Sequence, residues 1–140
     1  MEQKKFLTTF AIFSLVAGCC VMVLLYPMVT KNRTFIKEPG PEEIGTSFFT
    51  ALANAEYQKA FDLCDGSLQE ELGSAENLQA EIEKNQFQPS NWKILTQRFA
   101  STEVEYSGSM DYRIHISGTF RITLRQTEDG WRVAIFFLDY

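Results

Sequence analysis

Between Phe6 and Val29 the chain reads FLTTFAIFSLVAGCCVMVLLYPMV, without a charged side chain. Coiled as an α-helix, Phe6 to Tyr26 spans roughly 30 Å, the thickness of a bilayer's hydrocarbon core. Such a helix satisfies its own backbone amides, so lipid is the environment in which this run costs least. The sequence therefore predicts a membrane anchor over residues 1–29, a linker over 30–40 and one domain over 41–140. That domain has about 100 residues, enough for one core and too few for two.

Three forms of anchor fit the run. An uncleaved single-pass helix fits its length best, and a cleaved secretory signal usually has a shorter apolar stretch. The third form is a lipoprotein: Val16-Ala17-Gly18-Cys19 resembles a lipobox, which makes Cys19 the lipidation candidate, although Val21 to Val29 stays apolar where a mature lipoprotein turns polar. Lys4 and Lys5 precede the run and Lys31, Arg33 and Lys37 follow it, so charge counting does not orient it. The five-residue leader resembles a signal-anchor, which places the domain outside the cytoplasm, at the cell membrane.

Past the anchor, 11 Lys and Arg stand against 17 Asp and Glu. An acidic surface without a basic run argues against a nucleic-acid partner. Cys64 is the only cysteine after the anchor and His115 the only histidine, so neither a disulfide framework nor a metal cluster is expected, and no cofactor. The partners expected are the membrane itself and a second copy or a membrane protein complex.

Pro39-Gly40-Pro41 ends the linker, and Pro41 suits the first position of a helix, with Glu42 and Glu43 favourable in its first turn. Ile44, Phe48, Ala51 and Leu52 recur at helical spacing. After Asn54 a short helix carries Tyr57, Ala60, Phe61 and Cys64 on one side, until Asp65-Gly66 breaks it. Ser67 and Glu70 have capping-box spacing, and Ser74 is placed to start a last helix carrying Leu78 and Ile82. From Pro89 the period falls from 3.6 to 2. Strands are expected over Trp92–Phe99, Thr102–Tyr106 (stopped by Ser107-Gly108-Ser109), Tyr112–Arg125 and Trp131–Leu138. In the long third strand Tyr112, Ile114, Ile116, Phe120, Ile122 and Leu124 point one way and Arg113, His115, Arg121 and Arg125 the other, with Gly118 allowing a bend. Helices first and an antiparallel meander after them give an α+β domain with helices packed on one face of a curved sheet.

Phe48-Phe49-Thr50-Ala51-Leu52, Ala55 to Phe61, Phe120 to Leu124 and Gly130-Trp131-Arg132-Val133 give residues 41–140 a resemblance to the nuclear transport factor 2-like superfamily, in particular its small bacterial membrane-anchored and lipoprotein members. The resemblance implies a cone of curved sheet and helices whose pocket, where open, lies between them. It implies isomerases, dehydratases, ligand binders or non-catalytic assembly subunits, and fold alone does not choose.

The residues favour the non-catalytic class. No Asp, His or Tyr spacing offers a paired acid and base, so no catalytic residue is named. His115 falls on the wet face, and Cys64 on the apolar side of its helix reads as a structural thiol. Phe48, Phe61, Trp92, Tyr112, Phe120 and Trp131 are the candidates for lining an apolar ligand pocket, or for filling the cone. Arg113, Arg121 and Arg125 on the outer face of the sheet, beside Phe136 and Leu138 of the last strand, are the interface candidates. The expected function is a membrane-anchored interaction or scaffold module, similar in layout to inner-membrane scaffold subunits of type IV secretion systems. A small-ligand-binding domain is the alternative, and an isomerase or dehydratase a more distant one.

Overall fold

Pro41 opens the first helix as its backbone predicts: it needs no N–H partner, and Glu43 reaches back to accept from the Gly40 N–H at 2.9 Å. The computed structural model describes residues 38–140; the anchor over 1–29, Cys19 and the linker up to residue 37 lie outside the described residues. No helix among the described residues is long and apolar enough to cross a membrane.

Helix α1 (Pro41–Ala53) buries Ile44, Phe48, Phe49, Ala51 and Leu52. Helix α2 (Tyr57–Asp62) is short, and α3 (Gly66–Leu72) follows after three residues, Leu63, Cys64 and Asp65. The cap of α3 is Asp65, whose Oδ1 accepts from the Leu68 N–H at 2.9 Å. This corrects the capping box expected at Ser67, because the helix already begins at Gly66. Helix α4 (Ala75–Lys84) starts where expected, with Ser74 Oγ accepting from the Asn77 N–H at 3.2 Å.

Four strands follow, β1 (Pro89–Phe99), β2 (Glu103–Tyr112), β3 (Ser117–Thr127) and β4 (Gly130–Asp139), in an antiparallel sheet of order β1-β2-β3-β4. The α+β class and the helices-then-meander order are as the sequence predicts. Two strand boundaries are corrected. Ser107-Gly108-Ser109 does not stop a strand; it lies inside β2, paired with β1 on one side and β3 on the other. Only glycine fits at 108: a Cβ there would run into the Lys93 carbonyl and crowd the Phe120 ring. The reversal comes instead at Arg113–Ile116, inside the stretch expected as one long strand. His115 takes a left-handed φ of 61°, a region His enters more readily than most residues, and its N–H donates to the Tyr112 carbonyl at 3.0 Å. Ile114 and Ile116 are consequently exposed, while Tyr112, Phe120, Ile122 and Leu124 stay in the core.

A third correction concerns β4. Its register slips by one residue, with Leu124 opposite Val133 and Thr123 opposite Ile135. Ala134 is the extra residue, and it reverses the alternation. Val133 is buried before the slip; after it Phe136 and Leu138 turn to the helices while Ile135 and Phe137 turn out, 43% and 60% exposed. Phe136 and Leu138 were expected outside. They line the core.

Candidate functional site

The space between α1 and the sheet is where a ligand would sit, and aromatic rings occupy it. Phe49 is the hub. Its ring centroid lies 5.8 Å from Phe48, 5.7 Å from Trp92 and 4.8 Å from Phe120, with edge-on or tilted geometry. Phe48 in turn meets Phe136 at 5.1 Å. Of the six pocket candidates, the structure therefore joins Phe48, Trp92 and Phe120 through a residue not among them. Tyr112 belongs to a second cluster, with Phe87 at 5.5 Å and Tyr140 at 6.0 Å. Phe61 and Trp131 are half-buried and pack against the core elsewhere.

Polar groups near the core are each engaged. Tyr112 Oη donates to the Asp139 carbonyl at 3.1 Å, and burial pushes its pKa up to about 12. Tyr106 Oη accepts from Gln97 Nε2 at 3.0 Å. Cys64 Sγ donates to the Ala60 carbonyl at 3.4 Å; burial, reinforced by the charges of Asp65 and Asp62, pushes the thiol up to about 12. It is thus a poor nucleophile at neutral pH. In a chain with Cys19→Ser and Cys20→Ser, Cys64 is expected to react with a thiol reagent at pH 8 only after denaturant is added; rapid native labelling would count against a buried thiol. The sign of the alkaline response follows from the same groups. The unfolded thiol and phenol ionise near their ordinary 9.0 and 10.0, while the folded ones hold their protons to about 12. Their contribution is fully present below pH 9 and is lost as the pH climbs towards 12. Denaturation midpoints measured from pH 8 to 11 should fall, and a flat profile would overturn this.

No cluster of His, Cys, Asp or Glu among the described residues could hold a metal ion. Among the described residues the one buried carboxylate is Asp65, 6% exposed. Arg125 Nη1 donates to its Oδ2 at 2.7 Å, and Arg125 Nε donates to Glu103 Oε1 at 2.8 Å. Backbone bonds tie the same turn to β4: the Asp65 N–H donates to the Val133 carbonyl, and the Val133 N–H to the Leu63 carbonyl. Arg125 is therefore a brace between sheet and helices, a role with no sign in the sequence.

The three arginine candidates do not form one patch. Arg113 sits in the β2–β3 turn and donates to the Ala53 carbonyl at 2.6 Å. Arg125 is the brace. Arg121 alone lies open on the outer face, 61% exposed and 3.9 Å from Glu105, which Arg98 also approaches at 3.8 Å. Beside Arg121 runs a shallow groove of about 500 Å³ walled by Leu95 and Phe137, with Thr96, Ser107 and Thr119 along its floor. Phe137 was not legible as a surface residue, because it owes its direction to a slip in register, whereas Leu95 simply alternates with Trp92 and Ile94, which pack inward.

No protein-family model matches the chain, and no curated protein does either. Solved structures do. One is a protein from Campylobacter jejuni described as an NTF2-like transpeptidase, 13% identical, covering 69% of this chain and 99% of its own, with a TM-score of 0.54. Another is a SEC-C motif-containing protein from Rhodopseudomonas palustris, 15% identical, covering 72% of this chain and 80% of its own, with a TM-score of 0.55. The domain accordingly has a nuclear transport factor 2-like fold, as its motifs implied. At these identities the likeness carries the fold and no activity.

Proposed function

We propose that this protein is a single-pass, membrane-anchored interaction module without catalytic activity, whose domain lies outside the cytoplasm and docks a partner protein or a second copy through its sheet. One observation carries the reading: rings fill the cone, while among the described residues the large apolar side chains that are exposed, Leu95, Ile135 and Phe137 included, belong to the sheet and its hairpins, with Tyr140 just past the end of β4 the exception. An apolar centre beside a charged rim is the anatomy of an interface. The anchor supports it by confining copies to one surface and raising their effective concentration. An apolar-ligand binder or an isomerase-like enzyme needs open space beside a polar group in the cone, and the Phe49 cluster stands in that space.

Two experiments test the proposal. After a carbonate wash of membranes the chain should stay in the pellet, and release into the supernatant would defeat the anchor. If Cys19→Ser abolishes an acyl mass shift, the anchor is a lipid instead of a helix. The second compares neighbouring residues of β4. Phe137→Glu should leave the circular dichroism spectrum unchanged and remove crosslinks made through the outer face. Phe136→Glu puts a charge against Phe48 and should unfold the domain. Equal tolerance of both changes would overturn the assignment of faces.

A further inference from the structure

Among the described residues the sheet has two edges without a further strand, and they are built differently. β1 begins with Pro89, carries Lys93 and Arg98, and has two irregularities in its pairing, after Pro89 and after Ile94. Proline, charge and bulges are the devices that stop a strand edge from recruiting another strand. β4 has no proline, its one irregularity is the slip at Ala134, and its charges, Arg132 and Asp139, stand towards its ends. From Ala134 to Leu138 it reads Ala-Ile-Phe-Phe-Leu, with no charge and no proline. Among the described residues its outward backbone bonds are made at Val133, to Leu63 and Asp65, and stop there.

We infer that the β4 edge from Ala134 to Leu138 pairs antiparallel with the same edge of a second copy, joining two four-stranded sheets into one across a two-fold axis near Phe136. The inference rests on the proposed interaction role and names the partner. What selects a second copy is the charge at the ends of the run. Arg132 precedes it and Asp139 follows it. Antiparallel self-pairing brings the Arg132 end of each strand to the Asp139 end of the other, whereas parallel pairing sets like charges together. The axis also matches the faces. Ile135 of one copy stands opposite Phe137 of the other on the outer face, so side chains now 43% and 60% exposed cover each other. Phe136 and Leu138, half-buried in one copy, are covered further on the inner face. Pairing ends at Val133, where the α2–α3 turn already holds the edge.

The test uses the full chain with Cys19→Ser and Cys20→Ser, in membranes and in detergent. Differently tagged copies carrying Ile135→Cys and Phe137→Cys, expressed together, should give a mixed disulfide on mild oxidation; Leu95→Cys on the opposite edge should give none. In detergent the parent chain should sediment as a dimer and Ile135→Lys as a folded monomer, with Leu95→Lys still dimeric. A monomeric parent, a dimer that survives Ile135→Lys, or a disulfide formed equally well at Leu95→Cys would each overturn the edge pairing. The disulfide result stands on its own should Ile135→Lys fail to fold. Outer-face crosslinks to a different protein, with the parent monomeric, overturn the second copy and leave the interaction role standing; no crosslink from either face or edge overturns both.

Discussion

Phe49→Ala is expected to lower the stability of the domain by about 3–5 kcal/mol, the range for truncating a fully packed aromatic side chain. Phe49 is 2% exposed and touches three other rings, and those rings come from α1, β1 and β3. No single one of these elements can shift to close the gap without leaving its own partners, so the cavity term is retained rather than relaxed away. Denaturant unfolding followed by tryptophan fluorescence measures it, since Trp92 is one of the rings in contact. Phe99→Ala, at a side chain 70% exposed, serves as the control and should stay within about 0.5 kcal/mol of the parent. A small loss at Phe49 would mean that the cone has room to spare, and the apolar-ligand alternative would return.

Asp65→Ala is expected to cost about 2–3 kcal/mol, because one carboxylate does two jobs. Its Oδ1 caps α3 and its Oδ2 takes the Arg125 guanidinium. Loss of a cap alone costs about 1 kcal/mol, and a hydrogen bond to a charged group adds about 1.5–3. The sum is held to the lower part of its range because Arg125 is 39% exposed and water screens it. The hydrogen bond from Arg125 to Glu103, together with the Asp65 charge, holds the guanidinium above its ordinary pKa, so it stays charged. Asp65→Asn keeps an acceptor for the Leu68 N–H and should cost less than Asp65→Ala. Arg125→Met strands the buried carboxylate and should cost more than a surface arginine does, for which Arg121→Met is the comparison. A double-mutant cycle over Asp65 and Arg125 should give a coupling energy well above the scatter; an additive cycle would show that the two act separately.

Which elements form was legible in the chain because local physics decides it. Pro41, Glu43, Ser74 and the 3.6-residue recurrence of Ile44, Phe48, Ala51 and Leu52 each act within one or two helical turns, and the helices stand where those signals put them. The fall to a period of two at Pro89 likewise marked where sheet replaces helix, and the order of the two fixed the α+β class. The candidate rings were half legible. Phe48, Trp92 and Phe120 stand out as apolar and large, but nothing in their spacing says that Phe49 stands among them, since that meeting joins a helix to two strands far from it in sequence.

What tertiary structure alone decided are the places where one residue of register changes the outcome. A strand read as alternating keeps its faces only while every residue has a partner. The extra residue at Ala134 sends Phe136 inward and Phe137 outward, and the one at Leu95 leaves Leu95 and Thr96 together along the outer groove. Neither slip has a local signature, because each is set by the neighbouring strand. The turn at Arg113–Ile116 was hidden for the same reason: its residues continue the alternation of β3 in sequence, and the pairing of β2 through Ser107-Gly108-Ser109 places the reversal. Asp65 and Arg125 lie 60 residues apart and carry ordinary surface charges, so only the docking of the α2–α3 turn onto β4 makes them a pair. Short-range preferences thus chose the elements, and long-range pairing chose which side chains each element shows to the core, to solvent and to a partner.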